Sequence, residues 1–319
     1  MAENDSVAKR TMNYGKENVA VFRTYATPLE GVETIPESSF EGRENVLFGT
    51  EVRLQVEGEA FLPSFSDGDN SMVVATDSMK NFIHHHLGEY DGATLEGFLK
   101  FVSEELLEEY PHVEAVEASG DEFLFGDRPV PTDEGFEPSD LVFSIEESPA
   151  GFGELRLERA DDGIKTVEQT SGITDIELVK VKDNSFVGYI QDEYTTLPER
   201  ENRTLYVELN IFWTYGNTDD ALGEDSSQYV PVEQVRDITQ VVFHDLDVNS
   251  IQELIYQIGQ RILERFEQLE SVRFKANNRT WIGVRDDLEG DAKVLREPPR
   301  PAGFQEFSMD RSDLDGERK

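Results

Sequence analysis

A short apolar run that ends at a hydroxyl and a carboxylate carries the first chemistry that the sequence offers. The run is Met72–Ala75, and Thr76, Asp77 and Ser78 follow it. We predict a buried strand that stops at Thr76 and a helix that starts there, with Asp77 or Ser78 capping its free N–H groups. A hydroxyl beside an exposed helix N-terminus can hold a small anion or an acidic heterocycle. The competing interpretation is a threonine that only caps a helix.

Three consecutive histidines lie at the end of the same predicted helix, residues 77–86. Neighbouring residues on a helix point in different directions, so His84, His85 and His86 are not expected to converge on one metal ion. We interpret them as a helix end. The sequence contains no glycine-rich phosphate loop, zinc-ligand spacing or nucleophile elbow.

The two halves of the chain show the same order of predicted elements: two strands, two helices and more strands. In the first half, strands are predicted at 18–25, 46–62, 113–125, 141–146 and 153–159, and helices at 77–86 and 95–110. In the second half, strands are predicted at 176–181, 203–213, 272–275 and 280–284, and helices at 232–245 and 251–269. This order predicts an α+β protein with antiparallel sheets and helices on one face. From residue 297 onward, prolines and charges predict an extended or mobile tail.

The chain is strongly acidic. Its 319 residues include 67 acidic and 29 basic side chains, which give a net charge of −38. Because such a field repels nucleic acid and anionic membranes, we expect neither as a partner. The acids are spread along the whole chain, which favours a hydrated surface suited to high salt over an acidic patch for one basic partner.

The sequence contains no cysteine, which excludes disulfides, thiolate catalysis and cysteine metal sites. No apolar run is long enough to cross a bilayer, and the N-terminus is polar and acidic rather than signal-like. We therefore expect a cytoplasmic protein.

Four motifs together resemble the urate oxidases, the uricase family. They are Val-Ala-Thr-Asp ending at Asp77, Tyr-Gly-Lys-Glu-Asn-Val around Lys16, the segment from Phe186 through Asp-Glu-Tyr-Thr-Thr-Leu to Arg203, and Ser-Ile-Gln ending at Gln252. The spacing from Phe186 to Arg203 matches the family without a gap. The resemblance extends over nearly the whole chain.

The resemblance implies a role for each matched residue. Lys16 is implied as a base, and Thr76 as a hydroxyl that relays protons between the lysine and the substrate. The implied substrate-binding residues are Thr76, Asp77, Phe186, Arg203, Ile251, Gln252 and Asn278. Elementary chemistry agrees with these roles, because an aromatic ring can stack on a purine, and a guanidinium can grip its anionic edge through paired N–H groups. Taken alone, each residue also fits an ordinary core or surface position.

The match departs from the family at Asn277-Asn278-Arg279-Thr280, where the family usually reads Asn-Lys-His. Asn278 corresponds to the asparagine that faces the oxygen or water above the substrate ring. Thr280 stands at the histidine position, and we count it with the catalytic residues. A threonine can pass a proton through its hydroxyl, but it cannot carry a positive charge at neutral pH.

The resemblance also implies a fold and a reaction. It implies two tandem tunnelling-fold units, residues 1–161 and 162–299, an acidic tail at 300–319, and a homotetramer with active sites at subunit interfaces. The implied reaction is the oxidation of urate by dioxygen to 5-hydroxyisourate and hydrogen peroxide, with no cofactor and no metal. Two alternatives remain open: a catalytically impaired urate or purine binder, and another tunnelling-fold enzyme that acts on a pterin or purine.

Overall fold

The computed structural model describes residues 11–285, 287–290, 292–297 and 302–314, and these form two compact units. Unit 1 contains residues 11–27, Asn45–Glu122 and Gly153–Gln169. Unit 2 contains Pro28–Glu44, Phe123–Phe152 and the described residues from Thr170 onward. The predicted polar N-terminus, and residues 298–301 and 315–319 of the predicted tail, lie outside the described residues.

Unit 1 packs helices against an antiparallel sheet. Its strands pair in the order β1 (Asn13–Thr24), β2 (Leu47–Glu57), β3 (Ala115–Thr132), β4 (Gly135–Ala160) and β5 (Gly163–Lys180), and the last three also contribute residues to unit 2. Its helices are α1 (Leu62–Ser66), α2 (Thr76–Glu89) and α3 (Leu95–Glu109). Apolar stripes of α2 and α3 meet the inner face of the sheet in one core, which includes the fully buried Leu54, Ile83 and Phe98.

Unit 2 has the same construction. Its further long strands are β6 (Leu205–Tyr215) and β7 (Leu269–Thr280). The short strands β8 (Ile282–Arg285) and β9 (Val294–Arg296) pair only with each other in the described residues. Strand β10 (Gly303–Asp310) pairs with β7. Its helices are α4 (Val232–Asp245) and α5 (Ile251–Arg265). They cover β6 and β7 over a core that includes Trp213, Ile262 and Phe274.

Helix α5 and strand β7 run in opposite directions, because only three residues separate the end of α5 from the start of β7. The N-terminus of α5 therefore lies at the same end of unit 2 as the last residues of β7. The first residue of β6, Leu205, pairs with the last residue of β7, Thr280. Three chain segments that carry candidate site residues thus meet at one end of this unit.

Local features recur in the two units. The register of β1 shifts between residues 16 and 19, where Asn18 has φ 56°, and that of β5 shifts between residues 173 and 176, where Asp175 has φ 58°. In each unit a strand tyrosine, Tyr14 or Tyr215, accepts a hydrogen bond from the backbone N–H two residues before a helix, at 2.7 and 3.0 Å. The two units thus share a bulge and a strand-to-helix tie as well as an element order.

The predicted α+β class with antiparallel sheets is confirmed, and α4 has the predicted bounds. The strand predicted at Met72–Ala75 is wrong. Val74 is buried, but its N–H is donated to the Tyr14 hydroxyl rather than to a neighbouring strand, so the run is packed without joining the sheet. The predicted cap is also wrong, because Ala75 is the N-cap residue and no side chain caps the helix.

Two further differences concern long strands. The strands predicted at 141–146 and 153–159 are parts of the single strand β4. The predicted tail is extended at Gly303–Asp310, as expected, but there it pairs with β7 as β10. Within the described residues, no helix combines the length and the apolar character that a membrane span requires.

Candidate active site

Lys16 lies at the bulge of β1, in unit 1. The preceding residue, Gly15, packs so closely on β2 that a Cβ atom there would lie 2.1 Å from the carbonyl oxygen of Leu54. Only glycine allows this approach, and the bulge that follows changes the direction in which the next side chains project. Lys16 is half-buried at this position.

Thr76 is the first residue of α2 and is exposed. The hydrogen bond from Val74 N–H to Tyr14 Oη, at 2.7 Å, ties this helix start to β1 two residues before Lys16. Burial raises the pKa of Tyr14 above its ordinary value, so the phenol stays protonated at neutral pH. The tie fixes the entry to α2 relative to the strand that carries the lysine.

Lys16 and Thr76 line one open cleft of unit 1, with a volume of about 390 Å³. Arg53 also lines it and donates a hydrogen bond to Gln55 Oε1 at 2.7 Å. The cleft thus combines an ammonium group, a hydroxyl and a guanidinium group, and the guanidinium lies 3.9 Å from the carboxylate of Glu17, which also lines the cleft. The ammonium group and the hydroxyl can exchange a proton with a ligand.

Asp77, predicted to bind substrate, is engaged within its own helix. Its carboxylate accepts a bond from Lys80 Nζ at 2.6 Å and one from Asn81 Nδ2 at 3.3 Å. The Lys80 ammonium is the main reason that the pKa of Asp77 lies below its ordinary value. The backbone N–H of Asp77, in the first turn of α2, is the group of this residue best placed to meet a ligand.

Arg203 is the buried cation of unit 2. Its backbone N–H donates to the Asn184 carbonyl at 2.9 Å, and its guanidinium carbon lies 5.1 Å from the centre of the Phe186 ring. With the side-chain amide oriented to satisfy both neighbours, Asn184 accepts a bond from Arg203 Nε and donates one to Val248 O, each at 3.1 Å. Burial lowers the pKa of Arg203, which remains charged at neutral pH.

Both the backbone and the ring of Phe186 are held by neighbouring residues. It exchanges backbone hydrogen bonds with Arg200 at 2.8 and 3.2 Å, and its ring stacks on that of Tyr189 with centres 4.7 Å apart and planes 15° from parallel. Because an aromatic ring in such a stack has limited freedom to turn, the orientation of the Phe186 ring is fixed.

Ile251 and Gln252 are the first two residues of α5, at the end of unit 2 where β7 ends. The Ser250 hydroxyl accepts a bond from Glu253 N–H at 3.1 Å and so caps the helix. Ser185, next to Phe186, donates its backbone N–H to Val248 O at 3.0 Å and its hydroxyl to Asn249 Oδ1 at 2.7 Å. The segment that carries the aromatic ring is therefore fastened to the residues that open α5.

Within the first turn of α5, Ile251 is buried, whereas the Gln252 side chain is exposed. The N–H groups of a first helical turn have no partner within the helix, so Ile251 can offer its own to a ligand. Gln252 can both donate and accept. Together they suit a heterocycle with alternating donors and acceptors.

Asn278 and Thr280 lie near the end of β7. Asn278 continues the inward stripe of Val272, Phe274 and Ala276, but it is polar and half-buried. The backbone of Thr280 pairs with Leu205, which follows Arg203 by two residues. The structure describes only the backbone of Thr280, so its predicted proton relay stays a prediction.

The histidine run lies within the last turns of α2, as predicted. His86 stacks on Phe82, with ring centres 3.8 Å apart, and its Nδ1 lies 2.8 Å from the Phe82 carbonyl oxygen. Among the residues that the structure describes, no cluster of three or more histidine, aspartate or glutamate side chains could hold a metal ion.

A family model described as Uricase matches residues 169–306. Among curated proteins, the chain is 69% identical to a uricase from Halalkalicoccus jeotgali over 95% of this chain and 99% of that protein. It is 68% identical to a uricase from Haloferax volcanii over the same shares of the two chains. The chain belongs to the uricase family.

Solved structures of the uricase family have the same fold. A uricase from Bacillus fastidious superposes with a TM-score of 0.94 at 51% identity, over 97% of this chain and 96% of that chain. A urate oxidase from Bacillus sp. TB-90 superposes with a TM-score of 0.92 at 47% identity, over 94% of this chain and 99% of that chain. Membership of the uricase family, inferred from the motifs, is thus confirmed.

The predicted site residues of this uricase-family chain fall into two groups. Lys16, Thr76 and Asp77 belong to unit 1, and the other predicted site residues belong to unit 2. The sequence analysis missed Asn184, which connects Arg203 to the chain before α5. An asparagine in a loop carries no periodic signal, so only its contacts identify it.

Proposed function

We propose that this protein oxidises urate with dioxygen to give 5-hydroxyisourate and hydrogen peroxide. Membership of the uricase family, over 95% of the chain, is the observation that carries this proposal. The relatives just described are themselves named uricases or urate oxidase. The reaction consumes one urate, one dioxygen and one water, and its atoms balance in the two products.

In this proposal the residues of unit 2 bind the purine. Phe186 stacks on the ring, and the Arg203 guanidinium pairs with an anionic edge of urate through two parallel N–H groups. Gln252 and the backbone N–H of Ile251 bind another edge. The buried position of Arg203 supports this role, because a desolvated cation gains more from an anionic ligand than an exposed one does.

The residues of unit 1 would move protons. Lys16 acts as the base, and Thr76 relays the proton from urate, which leaves an electron-rich dianion. The Asp77 N–H adds a contact to the substrate. The shared cleft of Lys16 and Thr76 supports this pairing.

The dianion then reduces dioxygen near Asn278, and a hydroperoxide forms on the ring. Hydrogen peroxide leaves with the electrons of the broken carbon–oxygen bond, and water adds to give 5-hydroxyisourate. Urate supplies both electrons, so the proposed reaction uses no cofactor. Thr280 would pass protons through its hydroxyl where the family usually has histidine.

We further propose two tunnelling-fold units, residues 1–161 and 162–299, and an acidic C-terminal segment, residues 300–319, in which Gly303–Asp310 pairs with β7. The bulge and the tyrosine tie each occur once within residues 1–161 and once within residues 162–299, which supports this division. By resemblance to the family, four chains assemble with active sites at subunit interfaces, where Lys16 and Thr76 of one subunit meet Arg203 of another. The cytoplasm remains our proposal for the location.

The proposal is tested by incubating the purified protein with urate in molar salt while urate absorbance and urate binding are followed. We expect urate to be consumed, and a pterin offered in its place to be left intact. Tight binding of urate without consumption would support the catalytically impaired binder instead. If urate does not bind at all, both the oxidase and the binder are excluded.

A further inference from the structure

A second amide lies beside the half-buried amide of Asn278. Gln305, on the neighbouring strand β10, donates a hydrogen bond from Nε2 to Asn278 Oδ1 at 3.4 Å. Among the described residues, no group accepts a bond from the Asn278 amide nitrogen. Because the Asn278 oxygen faces Gln305, the other end of the amide, with its two N–H groups, is the end left to meet a ligand.

The register between β10 and β7 brings the Gln305 amide close to the Asn278 amide. Gly303 lies directly opposite Asn278, and Gln305 lies opposite Ala276. A Cβ atom on Gly303 would lie 2.8 Å from Asn278 Oδ1, so any larger residue would push the amide away from its present position. The strand therefore supplies both the space for the Asn278 side chain and the donor that orients it.

Gln305 has a free-energy cost at this position, because part of its polar side chain is buried. It continues the inward stripe of Met309 and Phe307 on β10, and its own Oε1 is buried without a hydrogen-bond partner among the described residues. An apolar side chain of the same length would pack there without leaving a buried acceptor unsatisfied. The amide is thus better explained by what it donates than by the volume it fills.

We propose that Gln305 is a positioning residue for the reaction with dioxygen. It fixes the orientation of the Asn278 amide so that its N–H groups point toward the reduced oxygen species and stabilise the negative charge that develops there. This inference rests on the proposed function, in which Asn278 faces the oxygen. It predicts that Gln305 affects the oxygen step and not the binding of urate.

Two substitutions of similar size separate the donor from the volume. Gln305→Met removes the donor, and Gln305→Glu replaces it with a carboxylate that attracts the N–H groups of Asn278 and turns the amide around. We expect kcat/KM for dioxygen to fall about fivefold in Gln305→Met and further in Gln305→Glu, while urate affinity changes less than about twofold. Ser308→Ala, on the exposed face of the same strand, is the control and should leave both quantities unchanged.

A double-mutant cycle shows whether Gln305 acts through Asn278. In the Asn278→Ala background, Gln305→Met should have no further effect on the oxygen step. The proposal is overturned if the effect persists in that background, or if urate affinity and the oxygen step fall together in both Gln305 variants.

The free energy of unfolding in urea, without urate, is also measured for Gln305→Met, Asn278→Ala and the double variant. This measurement does not depend on the proposed function. The two substitutions should be non-additive in the free energy of unfolding, because they remove one shared contact. If the wild-type protein does not oxidise urate, the proposed function fails whatever this cycle gives. If the unfolding effects are strictly additive, Gln305 does not hold Asn278 and the inference fails even in an active enzyme.

Discussion

Arg203 is the residue on which the proposed binding of urate depends most. This arginine is 9% exposed in a protein whose other charges are mostly in water. Its guanidinium lies over the Phe186 ring, and Asn184 accepts a hydrogen bond from its Nε. Burial of a cation costs free energy, so natural proteins keep one where an anion or a dipole compensates it. An anionic purine beside the guanidinium would add to the contacts that Arg203 already makes.

Replacing Arg203 with lysine is expected to weaken urate binding by about tenfold or more, because a single ammonium cannot form two parallel bonds to one edge. Calorimetric titration of urate in molar salt measures the change. Arg200→Lys is the control, since this exposed arginine contacts Phe186 only through its backbone. Equal affinity of Arg203→Lys and the wild type would remove Arg203 from the binding site.

At the scale of elements, the helices α2, α3, α4 and α5 share one feature: a cationic side chain from another segment of the same unit donates to backbone carbonyls at the end of each. In unit 1, Arg23 donates to carbonyls at the end of α2, and Arg159 does so for α3. In unit 2, Lys180 does so for α4 and Arg311 for α5. The last carbonyls of a helix lack partners within it and carry partial negative charge, so a cation satisfies both needs.

Loss of one such contact should be measurable. Arg311 donates to Leu263, Phe266 and Leu269 carbonyls at 3.2 to 3.3 Å. Arg311→Gln is expected to lower the free energy of unfolding by about 1 to 2 kcal/mol. The exposed Arg296 provides the control for the change in net charge. Equal losses in Arg311→Gln and Arg296→Gln would show that charge alone, and not the cap, is responsible.

A carboxylate fastens the segment Pro28–Glu44 to α5 within unit 2. Glu37 accepts bonds from Arg265 at 2.7 and 2.8 Å and from Arg261 at 2.6 Å, and its side chain is 4% exposed. The hydrogen bonds from Arg265, and then those from Arg261, outweigh burial and lower the pKa of Glu37 from 4.5 to about 2. Because the pKa of the folded state is the lower one, the ionised carboxylate stabilises the fold above pH 4.5, and this contribution is lost as the pH falls toward 2.

Glu37→Gln removes this titration. We expect a loss of about 2 kcal/mol in the free energy of unfolding at neutral pH, and a shallower decline of stability than in the wild type as the pH falls through the acid range. Urea unfolding at a series of pH values measures both. Glu267→Gln, at an exposed glutamate, is the control. Parallel pH profiles of Glu37→Gln and the wild type would contradict the assigned pKa.

The sequence predicts the elements well where periodicity is strong and poorly where packing decides. The helix predicted at 232–245 has these bounds in the structure. The strand predicted at Met72–Ala75 is wrong, because four apolar residues fit a strand or a packed entry to a helix equally well. The length of β4 was also missed, because its exposed half is held by backbone pairing and does not alternate in polarity.

The candidate site likewise contains residues that the sequence predicts and contacts that depend on packing. Lys16, Arg203 and Gln252 were found because they lie in recognisable motifs. Their supports were not found, since the tie between Tyr14 and Val74 and the contact between Gln305 and Asn278 join residues far apart in the chain. Such contacts depend on strand pairing and leave no local pattern in the sequence.

At the scale of the whole molecule, a net charge of −38 must be compatible with the compact state. Spread over a folded chain, these charges repel one another, and salt reduces that repulsion. Relatives at 69% and 68% identity come from Halalkalicoccus jeotgali and Haloferax volcanii. Activity and stability are therefore to be measured in molar salt.

The proposed assembly predicts that two inactive variants complement each other. Lys16→Met and Arg203→Gln should each abolish urate consumption alone. When the two are co-expressed, about a quarter of the sites in a randomly mixed oligomer pair a native Lys16 with a native Arg203, and activity should return. Mixed oligomers that form, as seen by mass spectrometry, but stay inactive would contradict a site shared between subunits.

The most direct measurement follows oxygen uptake, urate loss and peroxide formation together in molar salt. The proposed reaction predicts equal amounts of all three for the wild type. In Lys16→Met it predicts that urate still binds while oxygen uptake and peroxide formation are lost. Tight binding of urate to the wild-type protein with no oxygen uptake would contradict the account.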